Sequence, residues 1–175
     1  MILRYFIEVA YKGTSYSGFQ IQQNANSIQG EIEKAFKIFF KESIKLICSS
    51  RTDAGVHAFS NYFHFDAETL PAAEILHNTI YNLNAILPPD IIVKRIFNVA
   101  ANAHSRFDAL SRSYKYDIYQ TKNPFVEDRA YYFPYKLDVV KLEASANIIK
   151  EYLDFTSFSK KHTQVKTFNC TIFKR

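Results

Sequence analysis

The fold is decided by the patterns that begin at residues 2–10, which read ILRYFIEVA. This stretch alternates like a strand with one buried face, and the YKG at 11–13 ends it. Helical spacing of apolar residues then starts at Ile28, and Ser27 stands at the N-cap position. Three further strand patterns and a second helix follow, with strands at 44–48, 58–66 and 91–99 and the helix from Pro71 to about residue 83. The predicted order is strand, helix, strand, strand, helix, strand, which is the split βαβ or ferredoxin-like arrangement.

A second unit is predicted to begin near His104. Its patterns indicate a strand at 106–120, a helix at 137–153 and strands at 155–158 and 166–173. Compared with the first unit, this pattern stops before a last helix and strand. We therefore predict an α+β protein with two ferredoxin-like units around a central cleft, a first domain at 1–100 and an incomplete second domain at 101–175.

Composition gives only a weak functional signal. The 175 residues carry 22 Lys and Arg against 17 Asp and Glu, a formal net charge of +5, which favours an anionic partner weakly. Aromatic residues are frequent, with 12 Tyr and 16 Phe, and in the run SRSYKY at 111–116 tyrosines alternate with cationic residues. This arrangement suits stacking on RNA bases beside phosphate contacts. Strand-rich proteins also use Tyr and Phe, so composition leaves both interpretations open.

Several classes of protein are disfavoured by spacing. The four glycines do not form a phosphate-binding or dinucleotide-binding motif, and the five histidines have no partner at a familiar metal-site spacing. Cys48 and Cys170 are far apart and suggest no disulfide framework. The sequence at Met1 leads directly into a strand pattern rather than a signal peptide, and no apolar run has membrane-spanning length. We expect a cytoplasmic protein.

The loop between the second and third predicted strands, SRTDAGVHA at 50–58, has the composition of a reactive loop. Asp53 could act as a reactive carboxylate, and a neighbouring Arg51 could keep it ionised by lowering its pKa. Gly55 would allow a tight backbone turn behind it. The alternative is an ordinary turn with a surface Arg–Asp pair, and physical chemistry alone slightly favours that simpler explanation.

The octamer RTDAGVHA at 51–58 resembles the signature motif of the tRNA pseudouridine synthase A family. Other blocks resemble the family's pattern in the same order, over nearly the whole chain. They are YKG at 11–13, YSGFQIQ at 16–22, SIQ at 27–29, Asn84 with LPPDI at 87–91, HSRFDA at 104–109, RSYKY at 112–116 and DFTSF at 154–158. The sequence departs from that pattern at Lys12, Phe19 and Ser50, where the family usually has Asp, Trp and Gly. It also lacks a C-terminal segment that carries a further basic residue.

The resemblance implies an enzyme that isomerises uridine to pseudouridine in the anticodon stem-loop of tRNA, at positions 38, 39 and 40. It also implies a homodimer that uses no metal, nucleotide or organic cofactor. The alternatives are a non-catalytic RNA-binding module that lost turnover through C-terminal truncation, and a structural domain in which Asp53 occupies a turn.

The resemblance also assigns site residues. Asp53 matches the family's essential aspartate, as nucleophile or base, and Tyr114 matches the tyrosine that stacks on the target uracil across the cleft. Arg51 matches the arginine that contacts this aspartate and helps to expel the target nucleotide from its stack. Further candidates for RNA binding are Arg112, Lys115, Arg106, His57 and Tyr116. Tyr116, two residues after Tyr114, would share its face of the predicted strand.

Overall fold

The structure is a computed structural model that describes residues 2–68, 73–159 and 167–173, with only the backbone described at 73–76. The chain divides into two compact units, Met1–Tyr116 and Asp117–Arg175. The first unit contains β1 (Leu3–Tyr11), α1 (Ile28–Phe40), β2 (Ile47–Cys48), β3 (Ala58–Ala67), α2 (Ala73–Ile86) and β4 (Ile91–Val99). The second contains β5 (Ile118–Tyr119), β6 (Tyr131–Tyr132), α3 (Val139–Glu151) and a short 3₁₀ helix (Thr156–Phe158). The predicted domain boundary between residues 100 and 101 stays a prediction.

The first unit is built on a four-stranded antiparallel sheet with strand order β2-β3-β1-β4. The central strand β1 pairs on both sides, and Ile7 lies opposite Phe63 of β3 and Ile96 of β4. The predicted α+β class is confirmed. None of the described helices combines the length and apolarity needed to cross a lipid bilayer.

The core lies where α1 and α2 cover one face of the sheet. Ser27 begins α1, because its side-chain oxygen accepts a hydrogen bond of 3.2 Å from the Gly30 amide. The buried face of α1 brings Phe36 edge-on to Phe65 of β3, with ring centroids 5.2 Å apart. The largest buried core side chains are Phe19, Phe36, Phe63, Phe65, Ile7, Ile28, Ile32 and Leu83. The predicted cap and apolar face of α1 are therefore confirmed.

The other face of the sheet carries a buried charge, Glu8, which is only 4% exposed. It accepts hydrogen bonds from Lys94 (2.7 Å), Arg95 (2.6 Å) and Ser60 (2.8 Å). Both cations reach it because the register of β1 with β4 slips between Glu8 and Val9, a bulge that sets two residues opposite one. Burial opposes ionisation, but these hydrogen bonds outweigh it and lower the pKa of Glu8 to about 2.

The predicted strand at 106–120 is wrong, because only Ile118–Tyr119 of it is a strand. Local side-chain hydrogen bonds replace strand pairing at its start. The Asp108 carboxylate accepts from the His104 amide at 2.7 Å, and the His104 ring nitrogen accepts from the Arg106 amide at 3.2 Å. The predicted strand at 155–158 is also wrong, since Thr156–Phe158 form a 3₁₀ turn in which the Phe158 amide donates to the Phe155 carbonyl at 3.0 Å.

Other predicted elements differ in detail. Within 167–173, the described part of the last predicted strand, Asn169 makes an isolated bridge to Asp154 and no strand forms. Phe59 is 82% exposed although Phe63 and Phe65 of the same strand are buried, because the β1–β3 register slips between Val9 and Tyr11. Pro71 lies outside the described residues.

Candidate active site

The loop that joins β2 to β3 carries Asp53 on a tight turn. The Val56 amide donates to the Asp53 carbonyl at 3.2 Å, and Gly55 takes a φ of +79° that side chains other than glycine rarely adopt. The side chain of Asp53 is exposed. The predicted backbone turn is thus formed, and it presents the Asp53 carboxylate at the protein surface.

This loop is held against the segment that follows β1. The Phe19 amide donates to the Thr52 carbonyl at 2.9 Å. Gly18 has a φ of +110°, and a Cβ there would lie 3.2 Å from the Thr52 carbonyl oxygen. At Gly13 a Cβ would overlap the Val56 carbonyl. Sequence blocks that are about 40 residues apart therefore form one structural unit around Asp53.

His57 contributes to this attachment, because its Nδ1 accepts a hydrogen bond of 2.9 Å from the Gly13 amide. The δ nitrogen must then be unprotonated in the neutral ring. The structure therefore gives His57 a local structural role, which is to hold the loop against Gly13. Its predicted contact with RNA stays a prediction.

A buried hydrogen-bond chain fixes the backbone on both sides of Arg51. The Asn61 amide nitrogen donates to the Ser50 carbonyl at 2.9 Å and to the Tyr11 hydroxyl at 3.1 Å. The Tyr11 hydroxyl lies 2.8 Å from the Thr52 hydroxyl. Because an amide nitrogen can only donate, the Tyr11 oxygen accepts from Asn61, while either hydroxyl can donate in the hydrogen bond between Tyr11 and Thr52. Burial raises the pKa of Tyr11, so the proton stays on its oxygen at neutral pH.

Sequence reasoning missed the supporting roles of Tyr11 and Asn61. A signal was present for Asn61, a polar residue two positions before Phe63 on an inward-facing row of β3. A buried amide at such a position usually satisfies groups that the strand ladder leaves unpaired.

A second support comes from the turn before β4. The Tyr16 hydroxyl donates to the Asp90 carboxylate at 2.7 Å, and the Lys12 amide donates to the Asp90 carbonyl at 2.8 Å. Burial and the neighbouring Asp90 carboxylate both raise the pKa of Tyr16. The Tyr16 carbonyl in turn accepts from the Gly55 amide at 3.4 Å. Asp90 therefore supports the Asp53 turn indirectly.

Tyr114 lies beside the same loop. Its hydroxyl is 3.5 Å from the Ser50 hydroxyl, longer than the roughly 2.5–3.0 Å of an ordinary O–H···O hydrogen bond. Its side chain is 68% exposed, so most of the ring is open to solvent. The structure brings Tyr114 close to the loop that carries Asp53. Tyr116 is exposed too, but the strand whose face it was expected to share with Tyr114 does not form.

The predicted contact between Arg51 and Asp53 is not present. Within the described residues, the Asp53 carboxylate makes no ion pair or hydrogen bond, and the Arg51 guanidinium lies beside the Cys48 thiol instead. Burial raises the pKa of this thiol, and Arg51 partly opposes the rise. The side chain of Arg51 thus points along the β2 side of the loop.

Two of the other predicted RNA-binding residues, Arg106 and Arg112, lie near the end of β2. Arg112 donates to the carbonyls of Ser49 and Arg106, both at 3.0 Å, so it also joins two segments of the first unit. The guanidinium carbon of Arg106 lies 5.7 Å from the centre of the Phe107 ring. Lys115 is exposed. Their contacts with RNA stay predictions.

Comparison with known proteins identifies relatives along the whole chain. No family model matches the sequence. The tRNA pseudouridine synthase A of Porphyromonas gingivalis is 44% identical over 169 residues, which are 97% of this chain and 67% of that protein. The protein of the same name in Azobacteroides pseudotrichonymphae is 44% identical over 98% of this chain and 68% of its own length. One from Staphylococcus aureus is 35% identical over 98% of this chain and 64% of its own length.

The chain therefore spans about two thirds of the length of the curated relatives that it matches. The matched region includes the β1 to β4 sheet, the Asp53 turn and the segment that carries Tyr114, since it covers nearly all of this chain. The predicted family is confirmed: the chain belongs to the tRNA pseudouridine synthase A family.

Proposed function

We propose that this chain is a tRNA pseudouridine synthase that isomerises uridine in the anticodon stem-loop, at positions 38, 39 and 40. The observation that carries the proposal is 44% identity to relatives named tRNA pseudouridine synthase A over 97% of the chain. The exposed Asp53 turn, with Tyr114 beside it, supports the same activity. The three positions follow from the sequence resemblance.

Asp53 is proposed as the catalytic nucleophile or base. Its carboxylate is exposed and has no hydrogen-bond or ion-pair partner among the described residues, so its lone pairs are available to a substrate. It can attack C1′ of the ribose, attack C6 of the uracil, or remove a ribose proton to give a glycal. Each route breaks the C1′–N1 bond and rejoins C1′ to C5 of the rotated uracil. The C5 proton is then lost and N1 gains one, so the product is an isomer of the substrate.

Tyr114 is proposed to stack on the target uracil, and its largely exposed ring beside Ser50 supports this role. Stacking of an aromatic side chain on a base stabilises a complex by about 1–3 kcal/mol. Arg51 is proposed to help expel the target nucleotide. The same proposal gives Arg106, Arg112, Lys115, Tyr116 and His57 to the RNA-binding surface.

The finer description of the fold is also a proposal. A ferredoxin-like first unit is supported by the element order βαββαβ and the antiparallel strand order β2-β3-β1-β4. Four further features are proposed from the resemblance alone: a second unit of the same kind, a basic central cleft, a homodimer and a cytoplasmic location. So is a reaction without a cofactor.

The test is to map product in transcribed tRNAs that carry uridine at position 38, 39 or 40. The chain is incubated with each transcript, and pseudouridine is located by carbodiimide modification followed by primer extension. We expect modification at one or more of these positions and none in transcripts with cytidine there. If a folded chain binds tRNA but forms no pseudouridine, it is an RNA-binding module. Product elsewhere in the tRNA would overturn the anticodon assignment alone.

A further inference from the structure

A pocket of about 190 Å³ lies in the first unit beside Cys48. It is bounded by the end of β2, the start of α1 and the 104–108 turn. Its polar lining consists of Arg51, Arg106, His104, Gln20 and Gln29. The volume is below the roughly 300 Å³ at which pockets for drug-sized ligands begin. It suits one small group rather than a whole nucleotide.

The wall that carries Arg106 is firmly attached to the sheet. Ser105 is buried and its hydroxyl donates to the Ile47 carbonyl of β2 at 2.9 Å. The same hydroxyl lies 2.9 Å from Nδ1 of the buried His64. Arg106 follows directly and rests on the Phe107 ring, with 5.7 Å between the guanidinium carbon and the ring centre. This arrangement places the Arg106 side chain before any ligand arrives, which lowers the entropy cost of binding.

The pocket has two positive charges without a counter-ion. Neither Arg51 nor Arg106 forms an ion pair within the described residues. Both arginines line this pocket together with Cys48, and both oppose the rise that burial causes in the pKa of the Cys48 thiol. Two nearby carboxylates accept backbone hydrogen bonds instead, Asp108 from the His104 amide and Glu33 from the Leu46 amide. Two uncompensated arginines in one concave site favour an anion.

We propose that this pocket holds a phosphate group of the bound RNA strand, with Arg51 and Arg106 as its two ligands. Guanidinium groups match phosphate because their fixed N–H donors can bind two of its oxygens at once. The inference rests on the proposed function, since RNA supplies the phosphate. It assigns Arg51 a contact with the strand on the β2 side of the loop, while Asp53 lies on the turn that faces the target nucleotide.

The test measures how tRNA binding by the 175-residue chain depends on salt, in the Asp53→Asn background so that no turnover occurs. Removal of one phosphate contact lowers the slope of log Kd against log salt concentration by about 1. We expect this decrease for Arg106→Gln. Arg106→Lys should keep most of the slope, because it keeps the charge. Lys37→Gln, which removes an exposed cation from α1, should leave the slope unchanged.

A second measurement locates the contact. In a Cys170→Ser variant, the rate of Cys48 alkylation by iodoacetamide is followed with the dinucleotide UpU, its uncharged methylphosphonate analogue or inorganic phosphate. We expect UpU to slow alkylation several-fold in the parent and not in Arg106→Gln, and the methylphosphonate to have no effect. Protection by inorganic phosphate but not by UpU would mean that the pocket takes free phosphate, and would overturn the RNA assignment.

These outcomes are separate from those of the proposed function. An unchanged salt slope for a folded Arg106→Gln, in a chain that forms pseudouridine, overturns the phosphate site and leaves the synthase in place. A lowered slope in a chain that forms no pseudouridine overturns the synthase and leaves the phosphate site in place.

Discussion

The two units differ in how much apolar surface they bury. In the first unit, Ile7, Phe36 and Phe63 are completely buried between a four-stranded sheet and two helices. In the second unit, none of the residues of α3 is buried, and Val140 is 76% exposed. Among the described residues of the second unit, the strands are the two-residue β5 and β6, which provide too little sheet face to cover a helix.

The difference shows where the stability of this chain resides. The Asp53 loop, its hydrogen-bond supports and the proposed phosphate pocket all lie in the first unit, which has the large core. A sheet with two covering helices can position such a site to within a fraction of an ångström, because well-packed side chains have few alternative arrangements. Substitutions in the first unit should therefore matter more than matched substitutions in the second.

The largest effect on stability is expected from a substitution in the buried face of α1, compared with a matched substitution in α3. Phe36→Ala, in the core side of α1, should lower the free energy of unfolding by about 3–5 kcal/mol, because it leaves a cavity. Leu142→Ala, at a half-exposed position of α3, should change it by less than about 0.5 kcal/mol. Urea denaturation measures both losses, monitored by amide exchange in β1 and β3 for Phe36→Ala and in α3 for Leu142→Ala. Similar losses from the two variants would contradict the contrast between the units.

An intermediate effect is expected at Glu8. Glu8→Gln should cost about 1.5–3 kcal/mol at pH 7, because the hydrogen bonds from Lys94 and Arg95 lose their charged acceptor. Folding lowers the pKa of Glu8 from 4.5 to about 2, so its contribution is complete above about pH 4.5 and is lost as the pH falls toward 2. The difference in stability between parent and variant should shrink over that range. A constant difference would exclude the ion pairs as its cause; Glu42→Gln, at an exposed position, is the control.

A smaller effect is expected at Tyr11. Tyr11→Phe removes the link between Asn61 and Thr52 and should cost about 1 kcal/mol. Because the link fixes the residue next to Asp53, kcat should fall while KM for tRNA stays within about twofold. Tyr81→Phe, on the exposed side of α2, serves as the matched control. An unchanged kcat in a Tyr11→Phe variant with the expected loss of stability would limit Tyr11 to a structural role.

Much of the first unit could be predicted from apolar spacing. The observed β4, Ile91–Val99, has the predicted bounds, and α1 begins at the predicted residue because Ser27 gives an unambiguous cap. The bulges opposite Glu8 and near Phe59 could not be predicted, because alternation says nothing about the partner strand. Residues 106–120 have a strand-forming composition, but local hydrogen bonds of His104, Asp108 and Arg112 take the place of strand pairing near the start of this segment.

In the candidate site, too, some features could be predicted from the sequence and others could not. Motif resemblance pointed to Asp53, Arg51 and Tyr114, and the structure places all three around one loop. The orientation of Arg51 toward Cys48 could not be predicted, since residues two apart in a loop have no fixed mutual direction. The chain from Asn61 through Tyr11 to Thr52 depends on how β1 and β3 meet, which a single sequence does not reveal.

The central claim is that the Asp53 carboxylate performs the chemistry on a unit that folds without its help. The most direct measurement is tritium release from C5-labelled tRNA, comparing the parent chain with Asp53→Asn and checking both for equal thermal stability and tRNA binding. We predict release by the parent and a loss on the order of 10²–10⁴-fold in the variant, with stability and binding unchanged. Comparable release by the two proteins would contradict the assignment of Asp53.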